Sequence, residues 1–179
     1  MNYTTITEDD FCRILEAKGI DQKELPRLLI SKLEDKGMKI ATSESCTGGL
    51  ISKLLTDEPG VSEVFDCGVC SYANCIKEKL LGVKSETLES FGAVSPQTAS
   101  EMAQGIRKLA SSHIGISTTG IAGPSGGSDK KPVGTVFIGI SSESETKIIK
   151  ADFTAKNNNR DKIRQLSAHL AIYCAIASI

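Results

Sequence analysis

An apolar run, Met38 to Ala41, passes directly into Thr42-Ser43-Glu44-Ser45-Cys46-Thr47-Gly48-Gly49. The chain leaves this stretch with Leu50, Ile51, Leu54 and Leu55 at helical spacing. The order is strand, small polar loop with two glycines, helix, which is the building unit of layered α/β folds. It sets the loop at a helix N-terminus. There, backbone N–H groups lack partners and the positive dipole end favours anions and developing negative charge. Hydroxyls in that field bind phosphate or attack a carbonyl, and the motif alone leaves both open.

The same alternation recurs along the chain. Thr7-Glu8-Asp9-Asp10 has a capping-box pattern, and Phe11, Ile14 and Leu15 give a short amphipathic helix ending near Gly19. Asp21-Gln22-Lys23-Glu24 opens a second helix with Pro26 in its first turn, Leu28, Leu29 and Leu33 on its apolar face, and Gly37 at its close. A strand is expected over about 64–73, with Asn74 capping a helix through Leu80, then a short helical piece over 86–90. Ser95-Pro96 caps a helix that buries Ala99, Met102, Ala103, Ile106 and Leu109. A strand over 114–119 then meets a second glycine-rich loop, 120–128. Strand patterns at 133–141 and 147–154 flank a hairpin at Glu143-Ser144. The last helix starts near Asn158 and spaces Ile163, Leu166, Leu170 and Cys174 helically. Strands alternating with helices predict an α/β domain, and the late hairpin predicts a mixed sheet rather than a wholly parallel one.

The bulk properties narrow the function. The 179 residues suffice for one core, and a net charge of −1 shows no basic excess that would make nucleic acid an expected partner. No window approaches a membrane span, so no membrane association is expected. The polar, acidic N-terminus does not read as a signal peptide, so a cytoplasmic location is the default expectation. Cys67-Gly68-Val69-Cys70 is formally C-x-x-C, but it lies inside a strand pattern, where residues three apart point to opposite faces. With His113 and His169 the sole histidines, a metal site is not expected and the six cysteines read as reduced and structural.

Ser45 needs a base to act as a nucleophile. His113 directly precedes a strand and His169 lies within the last helix, neither in a loop beside an aspartate, so a Ser-His-Asp triad is disfavoured. Lys77 stands in the first turn of a helix, facing the positive dipole end, which lowers a lysine pKa as a base requires; a solvated surface lysine is the plain alternative. Tyr72, at a strand end, reads either as a core aromatic or as a proton relay. Cys46 is the more intrinsically nucleophilic neighbour of Ser45 but lacks a histidine partner, and reads first as a small buried side chain. The loop Thr118-Thr119-Gly120-Ile121-Ala122-Gly123-Pro124-Ser125-Gly126-Gly127 also follows a strand; it is neither a P-loop nor a G-x-G-x-x-G motif. Two such loops favour a shared anionic ligand. Arg160, after the polar run 157–159, is placed to grip a carboxylate or phosphate, or to pair with Asp161.

Five stretches together resemble the C-terminal domain of the CinA family, whose members include the bacterial nicotinamide-nucleotide amidase. They are Ser43 to Gly49; Gly68 to Asn74 with Lys77; Gly92-Ala93-Val94-Ser95-Pro96; Thr119 to Pro124; and Lys131-Pro132-Val133-Gly134-Thr135-Val136. They run in unbroken order from about Leu25 to the C-terminus. The resemblance implies a three-layer α/β/α sandwich with a mixed sheet. It implies hydrolysis of the carboxamide of nicotinamide mononucleotide to nicotinate mononucleotide and ammonia, with no metal or organic cofactor. The family's nucleophilic serine falls on Ser45, and its assisting tyrosine and lysine on Tyr72 and Lys77. Thr47, Gly48, Gly49, Asn74, Thr119, Gly120, Gly123 and Arg160 complete the expected substrate-binding set. Backbone N–H groups near Thr47 to Gly49 would hold the oxyanion, and the phosphate would rest on a glycine-rich loop. Cys67, Cys70 and Ser125 depart from the usual family pattern without removing a catalytic group. The expected division is a helical N-terminal extension over 1–24 and an amidase domain over 25–179, a stand-alone version lacking the molybdopterin-binding-like domain of longer relatives. A pyridine nucleotide is the implied partner, and a homo-oligomer is expected. The competing expectations are a catalytically silent nucleotide-binding regulatory or adaptor domain, and hydrolysis through Cys46.

Overall fold

The computed structural model describes residues 2–155 and 158–179; Asn157, in the polar run before Arg160, lies outside them. Strand β1 (Thr4–Thr7) leads into helix α1 (Glu8–Lys18) through a capping box in which Thr7 and Asp10 exchange side-chain-to-backbone bonds. A 3-10 turn (Gln22–Glu24) follows, then α2 (Leu25–Lys36), with Pro26 in its first turn and Gly37 closing it. Next come β2 (Ile40–Glu44), α3 (Leu50–Thr56), β3 (Phe65–Cys70), α4 (Asn74–Leu81), α5 (Ser85–Phe91) and α6 (Pro96–Leu109). The chain finishes with β4 (Ile114–Gly120), β5 (Thr135–Ser141), β6 (Thr146–Asp152) and α7 (Arg160–Ile176).

The strands form one six-stranded sheet in the order β1-β6-β5-β4-β2-β3. β2 lies parallel to both β3 and β4, and β1 is parallel to β6; β5 is antiparallel to β4 and to β6. The hairpin thus makes the sheet mixed, as the sequence predicts. Alternation along each strand divides the core between two faces. On one face, Ile40, Ile116 and Ile138 pack with residues of α2, α3 and α7. On the other, Ala41 packs with Met102 and Ile106 of α6 and with Leu81 at the end of α4. The result is a three-layer α/β/α sandwich. Helix α4 lies so close to α6 that a Cβ on Gly105 would come within 1.9 Å of the Leu81 carbonyl oxygen. That contact fixes the helix bearing Lys77.

The structure adds and moves several elements. β1 was not expected: four residues of Thr-Thr-Ile-Thr, with only Ile6 partly buried, are too short to show a period. It extends the sheet beyond β6, and α1 returns Phe11 to the core beside Tyr173, ring centroids 5.9 Å apart. Leu28 and Leu109, expected to be buried, are 39% and 52% exposed. The buried stripe of α2 runs through Leu25, Leu29, Ile30 and Leu33 instead, and Leu109 stands in the last turn of α6, past its contact with the sheet. β3 ends at Cys70, and its alternating exposure sends Cys67 and Cys70 to opposite faces. Ala73, not Asn74, is the N-cap of α4, with no side-chain cap bond. Among the described residues, no helix is long and apolar enough to cross a membrane.

Candidate active site

Ser45 stands at the C-terminal edge of the sheet. Its amide donates to the Thr118 carbonyl at 2.9 Å, extending the β2–β4 ladder by one residue before the chain turns away. Gly48 and Gly49 make that turn with φ of +61° and +91°, values that a side chain would strain, and deliver the chain into α3. The crevice outside the carboxyl ends of neighbouring strands is where open α/β sheets bind ligands. Here it is a cleft of about 240 Å³.

Lys77 enters this cleft from α4 and is completely buried. Its Nζ lies 3.2 Å from Ser45 Oγ and donates to the carbonyls of Ser71 at 2.7 Å and Tyr72 at 3.0 Å. The geometry suits a neutral amine. Two N–H bonds satisfy the two carbonyls, and the lone pair is left for the serine hydroxyl. Burial pushes the Lys77 pKa below the ordinary lysine value, with proximity to Cys46 opposing more weakly. The positions read from sequence as nucleophile and base therefore meet in space.

The other candidate nucleophile is held inert. Burial, with the Glu44 charge adding, pushes the Cys46 thiol up to about 12, so it is not a thiolate near neutral pH. The histidines are engaged away from the cleft. His113 Nδ1 accepts from the Lys39 amide at 2.9 Å, and His169 Nδ1 bonds the Gln165 carbonyl at 2.8 Å.

Tyr72 lines the cleft but is no core aromatic: it is 66% exposed. Its hydroxyl meets Arg160 Nη2 at 3.5 Å, so its backbone carbonyl rather than its phenol holds Lys77. Arg160, the first residue of α7, also donates through Nη1 to the Gly123 carbonyl at 2.7 Å. Thr119 and Gly120 at the end of β4, together with Gly123, complete one wall, and Thr119 Oγ1 donates to Ala93 O at 2.7 Å. Ala122, Gly123, Ser125 and Gly126 also line the cleft, and among the described residues none of their amides donates to a backbone carbonyl. With the Arg160 guanidinium beside them, they form an electropositive rim.

Thr47, Gly48, Gly49 and Asn74 do not line the cleft. Thr47 is buried and shares a 2.7 Å hydroxyl bond with Thr118, while Asn74 is exposed on α4. The N-terminal amides of α3 are already engaged: the buried Glu44 carboxylate accepts from the Ile51 amide at 3.0 Å, the Ser52 amide at 2.8 Å and Ser52 Oγ at 2.8 Å. The Thr47 carbonyl accepts from Arg164 Nε at 3.2 Å and Nη2 at 2.8 Å. Sequence reasoning passed over Glu44 and Arg164. The available signal for Arg164 was its spacing of one helical turn from Arg160, which places both on one face.

The family model for the CinA C-terminal domain matches residues 22–179. The chain belongs to this family. A competence-damage inducible protein of Clostridium perfringens is 54% identical over 146 residues, 82% of this chain and 35% of that protein. One from Caldanaerobacter subterraneus is 51% identical over 149 residues, 83% of this chain and 35% of its own length. The chain thus spans about a third of the curated relatives it matches. Among solved structures, the competence/damage inducible protein CihA of Agrobacterium tumefaciens superposes with a TM-score of 0.83 at 39% identity, covering 87% of this chain and 94% of that one. A competence or damage-inducible protein from Enterobacter asburiae gives 0.82 at 37% identity, covering 88% and 97%. The fold of the CinA superfamily is therefore shared.

Proposed function

We propose that this chain hydrolyses the carboxamide of nicotinamide mononucleotide, giving nicotinate mononucleotide and ammonia. The supporting observation is the buried Lys77 amine, aimed by two carbonyls at Ser45 Oγ 3.2 Å away. Neutral Lys77 accepts the Ser45 proton as Oγ attacks the carboxamide carbon. The amide of Cys46, the one residue of the Cys46–Gly49 turn that lines the cleft, stabilises the oxyanion, one such donor being worth about 3 kcal/mol; those of Ile51 and Ser52 are committed to Glu44. Collapse breaks the C–N bond, and Lys77 returns the proton to the departing nitrogen, which leaves as ammonia. Water then gives a proton to Lys77 and attacks the ester carbon, and Ser45 leaves with that proton. The phosphate rests on the 122–126 rim with Arg160, and Tyr72 orients Arg160 across the cleft mouth. No step calls for a metal or organic cofactor. The proposed setting is the cytoplasm, with a pyridine nucleotide as partner and a homo-oligomeric assembly.

Incubation with nicotinamide mononucleotide, followed by chromatography and an ammonia assay, tests this. Equimolar nicotinate mononucleotide and ammonia are expected. Saturable binding of the nucleotide without ammonia release would instead establish a silent nucleotide-binding domain.

A further inference from the structure

The turn carrying Ser45 is gripped by two charged side chains that touch neither Ser45 nor Lys77. Glu44 immediately precedes the nucleophile and is fully buried, with both carboxylate oxygens spent on the first turn of α3. Ser52, which bonds that carboxylate, also meets Thr42 Oγ1 at 2.8 Å, so the network ties the start of α3 back to β2. From α7, which lies in the same layer as α3, Arg164 grips the Thr47 carbonyl with two nitrogens. Between these anchors lie two glycines in the left-handed region, the stretch with the greatest conformational freedom to lose. Without anchors, such a turn samples geometries in which Ser45 Oγ is beyond reach of Lys77, and an ångström of misplacement costs orders of magnitude in rate.

We propose that Glu44 and Arg164 are positioning residues that hold the Cys46–Gly49 turn so that Ser45 Oγ stays within hydrogen-bond reach of Lys77 Nζ. Glu44 has a second consequence. Its negative charge occupies the N-terminus of α3, the place where an anion would otherwise settle. A negatively charged substrate group is thereby directed to the rim formed by Arg160 and the 122–126 loop. Arg160 and Arg164, one turn apart on α7, thus divide the work: the first meets the ligand-side loop, the second fixes the nucleophile-side loop. This inference rests on the Ser45–Lys77 pairing of the proposed function, but not on the identity of the substrate.

The test combines two readouts in Arg164→Gln, Arg164→Lys and Glu44→Gln. The first is the rate at which a fluorophosphonate labels Ser45, which reports activation of the hydroxyl whatever the natural substrate. The second is steady-state hydrolysis of nicotinamide mononucleotide. Arg164→Gln and Glu44→Gln are expected to slow labelling and lower kcat by about 10- to 100-fold, with KM held within about twofold. Arg164→Lys, which keeps one donor, is expected to fall between Arg164→Gln and the parent. Arg160→Gln serves as the contrast, raising KM while labelling continues. Unchanged labelling in Arg164→Gln and Glu44→Gln, with only a lower Tm, would overturn the positioning role, as would a rise in KM at constant kcat. Should Glu44→Gln not fold, Arg164→Gln and Ser52→Ala carry the same readouts. A parent that labels but does not hydrolyse the nucleotide would reject the proposed substrate and leave the positioning role to be decided by labelling. A parent that does not label would overturn both.

Discussion

The decisive residue is Lys77, because burial makes it useful and costs stability at once. Its depressed pKa means that in the window between that value and the ordinary 10.5, the unfolded chain binds a proton that the folded chain does not. Stability contributed by this position therefore rises with pH through the window. Urea denaturation at pH 8 and pH 10 is expected to show the parent gaining on Lys77→Met; equal changes in both would contradict a depressed Lys77. In the proposed reaction, activity follows the same proton. The acid limb of kcat/KM is expected to climb as Lys77 deprotonates, and Lys77→Arg, always protonated, is expected to lose that limb and fall about 100-fold or more in rate. Cys46→Ala is expected to keep activity within about threefold while losing about 1 kcal/mol of packing, because its thiol, raised to about 12, stays out of the chemistry. At this scale the sequence was partly legible. Ser45 and Lys77 are chemical types in telling local positions, a turn before a helix and a first helical turn. Glu44 and Arg164 were not legible, because their partners lie seven or more residues away and are brought together only by folding.

Among elements, α4 and α1 show how packing reaches the site. α4 is seated by the glycine contact with α6, so Gly105→Ala drives a methyl group into the Leu81 backbone. It is expected to cost about 1–3 kcal/mol and to lower kcat more than a surface change of equal ΔΔG, by shifting Lys77. Thermal unfolding measured alongside turnover separates the two effects. The N-terminal segment is a different case. We propose that residues 1–24 form an accessory arm to the 25–179 domain, anchored by the Phe11 side chain and the β1–β6 ladder. Phe11→Ala is expected to cost about 3 kcal/mol or more and to open the arm to limited proteolysis before the rest. Resistance equal to the parent's would contradict that anchoring. The capping box at Thr7 was readable because its partners are three residues apart, whereas β1 is a strand only through its pairing with β6. Leu28 and Leu109 mislead for a related reason: helical periodicity locates a stripe, but which edge of it meets a neighbour depends on tertiary crossing.

For the whole molecule, the sheet order brings β2 and β4 side by side, although α3 to α6 and β3 intervene in sequence. That crossover sets the two glycine-bearing loops on the same edge and lets α7 reach both of them. Alternating strand and helix patterns, with the late hairpin, made the layered mixed sheet legible; the strand order was not, since it is decided by which faces pair. The same architecture accounts for a cleft with hydroxyl and amine on one side and, on the other, an arginine beside the 122–126 loop. The proposed hydrolysis of a carboxamide on a phosphorylated sugar uses both sides.

The central claim is that an alcohol at the end of β2 is activated by the buried amine of α4. It is tested most directly by comparing ammonia release from nicotinamide mononucleotide by the parent, Ser45→Ala and Lys77→Met at matched folding. Steady release by the parent is expected, with Ser45→Ala lower by at least about a thousandfold and Lys77→Met by about a hundredfold or more. Parent-like release from Ser45→Ala would contradict the account.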